Sequence, residues 1–209
     1  LGVSVQLDRL REGMGASYDV RCWVVDGTFY SDWYFGLRRL LADGARPDVV
    51  VVMLSATQLV SGGFRGDYFA HRMMLASDLP QVASDLHLHP TTAAGMLAAR
   101  ASAFYGLRSE LRKVLLGRLM PDLPNLLKDL AFKPAPPVSA GELLLTGSGR
   151  LQALNAVASA SGSRLVFVLV PVPGSRLEYA APLKKAAADA GVTMILPLNN
   201  GELGPADFR

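Results

Sequence analysis

The apolar residues of this chain are gathered into a few dense runs separated by mixed segments. Val49–Leu54 is an unbroken apolar stretch, led in by Pro47-Asp48 and turning polar at Ser55-Ala56-Thr57-Gln58. A β-branched run of this length predicts a strand buried on both faces, as in the middle of a parallel sheet. The carboxyl end of such a strand is where open α/β sheets bind ligands. Residues 165–170 form a second run of the same kind, and residues 192–196 a shorter third.

Between and before these runs the spacing changes. Val3, Leu7, Leu10 and Met14 recur at helical intervals among charged residues, predicting an amphipathic helix over residues 3–14 that Gly13 and Gly15 stop. Residues 19–25 alternate and then turn apolar, predicting a strand that Asp26-Gly27-Thr28 breaks. Ser31 and Asp32 are suited to cap a helix carrying Trp33, Leu37, Leu40 and Leu41, closed by Gly44. Strand, helix and strand in this order make a βαβ unit, which implies a right-handed crossover and a parallel sheet. A helix over residues 150–160 ending at Gly162 precedes the second run. A further helix from Pro182 to Ala190, stopped by Gly191, precedes the third.

Residues 61–145 do not follow this alternation. Their spacing predicts helices over 68–77, 93–118 and 123–130, and Lys133-Pro134-Ala135-Pro136-Pro137 then acts as a stiff spacer. The chain therefore reads as one α/β domain over residues 1–209, with a helical insertion at about 61–145 lying over the carboxyl edge of the sheet.

Composition narrows the function. Half of the 209 residues are apolar, ample for one large core, and the formal charge of +3 is too small to imply a nucleic-acid or membrane partner. No apolar run approaches the roughly 18–20 residues that cross a bilayer, so no transmembrane segment is expected. A lone cysteine, Cys22, excludes an internal disulfide framework. The compartment is left open.

A resemblance now becomes visible. Val24-Val25-Asp26-Gly27-Thr28, a helix with Gly36-Leu37-Arg38-Arg39-Leu40-Leu41, and the Pro47 strand with its polar end resemble the second and third sequence blocks of the SGNH (GDSL-like) hydrolases. Residues 165–173 and the helix running into Gly191-Val192-Thr193-Met194-Ile195 are similar to that family's last strand, helix and strand. Together these cover about half of the chain. The resemblance implies a flavodoxin-like three-layer α/β sandwich, mainly parallel, and Ser-His-Asp acyl transfer on an ester. The substrate would be a small-molecule, carbohydrate or lipid ester, with no cofactor. The family's Gly-Asp-Ser nucleophile segment and its closing Asp-x-x-His are expected outside these residues, and Asp207 would be the acid only with a histidine three positions on. The resemblance further implies that Gly27 and Thr57 are oxyanion-hole donors, Thr57 standing where the family has Asn, because preorganised donors stabilise the tetrahedral intermediate. Such a pocket without its triad would be a non-catalytic binding module.

Other motifs admit plainer roles. Residues 143–145 followed by Gly147-Ser148-Gly149 and a helix suggest a nucleotide loop, but Gln152 stands in place of the third glycine and no ribose-binding acid follows. His71, His87 and His89 lie in the insertion with only Asp85 near, too few ligands for a metal centre. Arg108, Arg112, Lys113 and Arg118 form a basic helix face, a solvated face in preference to one for nucleic acid or anionic lipid. Tyr18, Trp23, Phe29, Tyr30, Trp33, Tyr34 and Phe35 crowd the Gly27 loop as packing residues or as walls of an acyl or sugar pocket.

Overall fold

A computed structural model of the chain describes residues 12–13, 18–25, 27–122, 138–170 and 179–196. Its elements run α1 (Tyr30–Ala42), β1 (Val49–Leu54), α2 (Ala56–Val60), α3 (Gly66–Arg72), α4 (Asp78–Asp85), α5 (Pro90–Ala101), α6 (Ala103–Gly106) and α7 (Arg108–Leu119). They continue with α8 (Ala140–Ala160), β2 (Arg164–Leu169), α9 (Ala180–Asp189) and β3 (Thr193–Ile195). The chain is thus mixed α/β around a small parallel sheet, in the order β1-β2-β3. Register runs from Val49 opposite Arg164 to Leu54 opposite Leu169, and from Val166 opposite Thr193 to Val168 opposite Ile195. Arg164 N–H to Asp48 O (2.9 Å) and Val170 N–H to Leu54 O (3.0 Å) extend the first ladder at both ends.

The three apolar runs form strands because each places a second apolar set against helices. Leu54, Leu165 and Phe167 are buried with Leu37 and Leu41 of α1, Leu59 of α2, Leu143, Leu151 and Leu154 of α8, and Leu183 and Ala186 of α9. Gly162 and Gly191, at φ 80° and 65°, end α8 and α9 in the left-handed conformation that only glycine adopts without strain. A second core lies beneath the inserted helices. It joins Phe35 on the other side of α1 to Phe69, Met73, Met74, Leu79, Val82 and Met96.

Several expectations are corrected. β1 is not buried on both faces: its side chains alternate, with Val50, Val52 and Leu54 turned to the core while Val51 is 55% exposed and Val49 and Met53 are open. A run of valines satisfies a one-sided strand as well as a two-sided one, so composition could not distinguish them. Residues 19–25 join no strand among the described residues; Trp23 and Val25 pack instead against the second core. α8 begins at Ala140, ten residues before the expected start, because the Ser139 hydroxyl accepts the Glu142 N–H (3.1 Å) and caps it. The long helix expected over 93–118 is broken at Ser102 and Leu107 into α5, α6 and α7, and that expected over 68–77 ends at Arg72, with α4 starting only at Asp78. The helix of residues 3–14 is represented among the described residues by Glu12 and Gly13, both helical. Asp26, the helix of 123–130, the proline spacer, residues 171–178 and Asp207 lie outside them.

Candidate functional site

β1 ends at Leu54, and the chain enters α2 at once. Ser55 is the N-cap: its hydroxyl accepts the Gln58 N–H (3.2 Å) and the Gln58 side-chain oxygen accepts the Ser55 N–H (3.0 Å). This reciprocal box is a Ser-x-x-Gln pattern, legible in the sequence though not used there. Thr57 therefore sits in the first turn of a helix, half-buried, and not at the end of a strand. The Gln58 amide has a second task. Its Nε2 donates to the Thr28 carbonyl (3.2 Å), joining the loop after β1 to the loop before α1. Gly27 and Thr57 each stand one residue away from the partners of that hydrogen bond. Gly27 is exposed at φ 68°, a conformation that favours glycine, with open space where a side chain would stand.

The amino end of α1 is built around Asp32. The expected cap residues Ser31 and Asp32 lie inside the helix, which begins at Tyr30, and Asp32 works from the third helical position. Its carboxylate accepts the N–H of Phe29 (2.9 Å) and, across a gap of 33 residues, the N–H of Arg65 (2.8 Å). Asp32 is fully buried, and burial lifts its carboxyl to about 6 against the downward pull of the two N–H donors and the Arg65 cation. Phe29 lies flat under Gly63, where a Cβ would come within 2.7 Å of the ring. The 61–65 loop is thereby held down on α1 by one carboxylate and one aromatic face. Ser31 Oγ is buried beside them without a hydrogen-bond partner among the described residues.

Arg150 reaches the same place from the middle of α8. Its Nη1 donates to the carbonyls of Leu59 (2.6 Å) and Ser61 (2.7 Å), the open end of α2, and its guanidinium lies 4.8 Å from the centre of the Tyr30 ring. Burial lowers the basicity of Arg150, and burial with the neighbouring Tyr34 raises the Tyr30 phenol well above its ordinary range. Nothing local in the sequence marks Arg150, since its partners stand about ninety positions earlier. Trp33 completes the loop by donating its indole N–H to Thr28 Oγ1 (3.0 Å), which itself donates to Val25 O (2.9 Å). Trp23, Trp33 and Phe69 meet edge to face, so most of the aromatic crowd is packing.

Other candidates fall into structural roles. Gly147, Ser148 and Gly149 lie inside α8, and Gly147 rests against Leu59 and Leu183; the glycine serves close packing, and the nucleotide-loop reading is corrected. The Leu143–Leu145 segment is helical for the same reason, its three leucines falling within the capped first turns. His71 Nδ1 lies 3.1 Å from Ala99 O, His87 holds a left-handed turn at φ 47°, and His89 caps α5. His87 and His89 therefore do not share an extended face. Among the described residues there is no group of three or more His, Cys, Asp or Glu arranged to hold a metal. No helix among them is long and apolar enough to cross a membrane. The chain matches no family model, no curated protein and no solved structure.

Proposed function

We propose that the chain belongs to an SGNH-like ester hydrolase or O-acyltransferase built on a flavodoxin-like sandwich, and that the loops carrying Gly27 and Thr57 bind the oxygen that becomes negative during acyl transfer. The single observation that carries the reading is the Gln58 to Thr28 hydrogen bond at the carboxyl end of β1. It ties together the two loops that would supply the oxyanion donors, in the place where parallel sheets bind ligands. Asp32 holds the Phe29 N–H next to the Gly27 loop and Arg150 holds the carboxyl end of α2, fixing the backbone on both sides, which is what preorganised electrostatic stabilisation requires. In this chemistry a serine oxygen attacks the ester carbonyl carbon while a histidine takes the serine proton. The carbonyl oxygen then bears the charge until the alcohol leaves with that proton. The assignment covers the oxygen-stabilising side alone; the nucleophile and the base are not among the residues assigned.

Hydrolysis of 4-nitrophenyl acetate by the full gene product tests it. Thr57→Val keeps the shape and removes the hydroxyl, and is expected to lower kcat by about a hundredfold with little change in KM, the loss typical of one oxyanion donor. Thr57→Ser should retain most of the rate. Hydrolysis unaffected by Thr57→Val would overturn the assignment, and a full gene product without esterase or acyl-transfer activity would leave a binding module on the same loops.

A further inference from the structure

α7 is turned the wrong way round for a helix of a globular body. Its polar side holds it to the protein: Ser109 Oγ donates to Asp67 (3.1 Å), Arg108 pairs with the same carboxylate (3.4 Å) while stacking on Tyr105 (4.0 Å), and Glu110 pairs with Arg65. None of its twelve residues is buried. Leu111, Leu115 and Leu119, four residues apart and so on one side of the helix, lie opposite Ser109 and Glu110 and in line with Arg108, and are 41%, 58% and 76% exposed. Phe104 of α6, seven residues before Leu111 in the chain, is 76% exposed as well. A surface helix ordinarily buries its apolar stripe and shows its polar one, and the reverse arrangement marks a surface built to be covered.

The charges beside the ridge identify what covers it. At about 100° per residue, Arg112 and Arg118 stand about 60° to either side of the leucine line. Arg108, Arg112, Lys113 and Arg118 face one acid on this helix, Glu110, which Arg65 and Lys113 already occupy. An apolar ridge between two arginines matches a surface whose interior is apolar and whose rim is negative: the leucines enter the acyl boundary and the guanidinium groups reach back to phosphate. We propose that α7 is an interfacial helix that lays Leu111, Leu115 and Leu119 into an anionic lipid surface. The ridge is narrow and about 12 Å long, so leucines and arginines are both needed, and binding is weak, reversible and reduced by salt. This placement is independent of the acyl-transfer reading.

Flotation of the purified full chain tests it. Vesicles of phosphatidylcholine mixed two to one with phosphatidylglycerol should carry the wild type upward, and vesicles of phosphatidylcholine alone should not. Leu115→Ser with Leu119→Ser should abolish flotation, and Arg112→Gln with Arg118→Gln should weaken it about tenfold, with helical circular dichroism unchanged in both. Wild type that stays with the pellet in the anionic mixture overturns the proposal. So does flotation that survives the leucine substitutions. Sedimentation velocity of a wild-type dimer that the leucine pair disperses, without flotation, would also overturn it and give the ridge to a second copy of the chain.

Discussion

The two cores of this molecule are made of different materials. The one under the sheet is largely aliphatic and long-range: Leu54 and Phe167 come from strands separated by more than a hundred residues, and Leu143, Leu151, Leu154 and Leu183 close over them. The one under the insertion is aromatic and methionine-rich and drawn from neighbouring helices: Phe35, Phe69, Met73, Met74 and Met96. Methionine fills irregular gaps between short helices, whereas β-branched and leucine side chains fit the regular surface of a sheet. α1 serves both, giving Leu37 and Leu41 to one and Phe35 to the other. Arg38, between them in the chain, forms an ion pair with the buried Asp78 carboxylate at 2.9 Å. The candidate site sits on the seam, where Asp32 and Gln58 tie the two units by their backbones. The difference teaches that the sheet supplies one core and the helices between β1 and β2 close a second, with one shared helix between them.

The strongest way to break that comparison is to empty each core in turn. Phe167→Ala and Phe69→Ala each remove a side chain with no exposure, and each should cost about 3–5 kcal/mol. Their readouts should differ. Trp23 packs against the second core and touches Trp33, which meets Phe69 edge to face while also packing on the sheet core, so tryptophan fluorescence weights the second core more than the whole fold does. Far-ultraviolet circular dichroism reports the whole chain. Phe167→Ala should lower both denaturation midpoints together because the insertion rests on α1 and the sheet. Phe69→Ala should lower the fluorescence midpoint below the dichroism midpoint. Two variants with the same coincident shift would mean one cooperative unit and would end the distinction.

How far this division was legible depends on which force fixed each part. The strands at Val49–Leu54 and Thr193–Ile195 and the helix α9 follow from local pattern, and the sequence places them within a few residues. The same pattern could not say that Val51 faces outward, because a valine run carries no alternation to read. Gly147-Ser148-Gly149 looked like a loop and is helix, because Ser139 caps far upstream and Gly147 is needed where α8 meets Leu59 and Leu183. At the site, Gly27 and the polar residues 55–58 stood out locally. Asp32 as a tether to the 61–65 loop and Arg150 as the cap of α2 did not, because their partners are 33 and about ninety positions away and share no pattern with them. Leu111 and Leu115 belong to the apolar set of the helix expected over 93–118, but which way that set faces follows only from the contacts of Ser109 and Glu110 with Asp67 and Arg65.

A smaller effect sharpens the account of the seam. Asp32 has an ordinary value of 3.8 and is lifted to about 6 when folded, so between these values the folded chain holds more protons than the unfolded one. Its contribution therefore favours folding at low pH and is lost as pH rises from about 4 to about 6, amounting to about 3 kcal/mol across that window. Melting temperature followed from pH 4 to pH 7 should show this decline over the contribution of other groups. Asp32→Asn should remove the decline but lower stability near pH 5, since an amide can accept from only one of the Phe29 and Arg65 N–H groups and its own N–H₂ opposes the other. A variant with an unchanged pH slope would show that Asp32 is not the titrating tether of the 61–65 loop.

The smallest effect belongs to Ser55, and it separates a cap from a tie. Ser55→Ala removes the acceptor of the Gln58 N–H but leaves the Ser55 N–H on the Gln58 side chain and the Gln58 amide on Thr28. The loss should be that of an N-cap, about 1 kcal/mol, read as a lower denaturant midpoint with an unchanged slope. Ser55→Thr keeps an acceptor oxygen and should recover part of it. Gln58→Ala removes the other half of the box together with the bridge to Thr28, so it should also increase hydrogen exchange at the backbone around Gly27 while Ser55→Ala does not. If Ser55→Ala alone loosened the Gly27 loop, the two loops would be joined through the shape of α2, and the Gln58 side chain would lose its place as the link between the halves of the site.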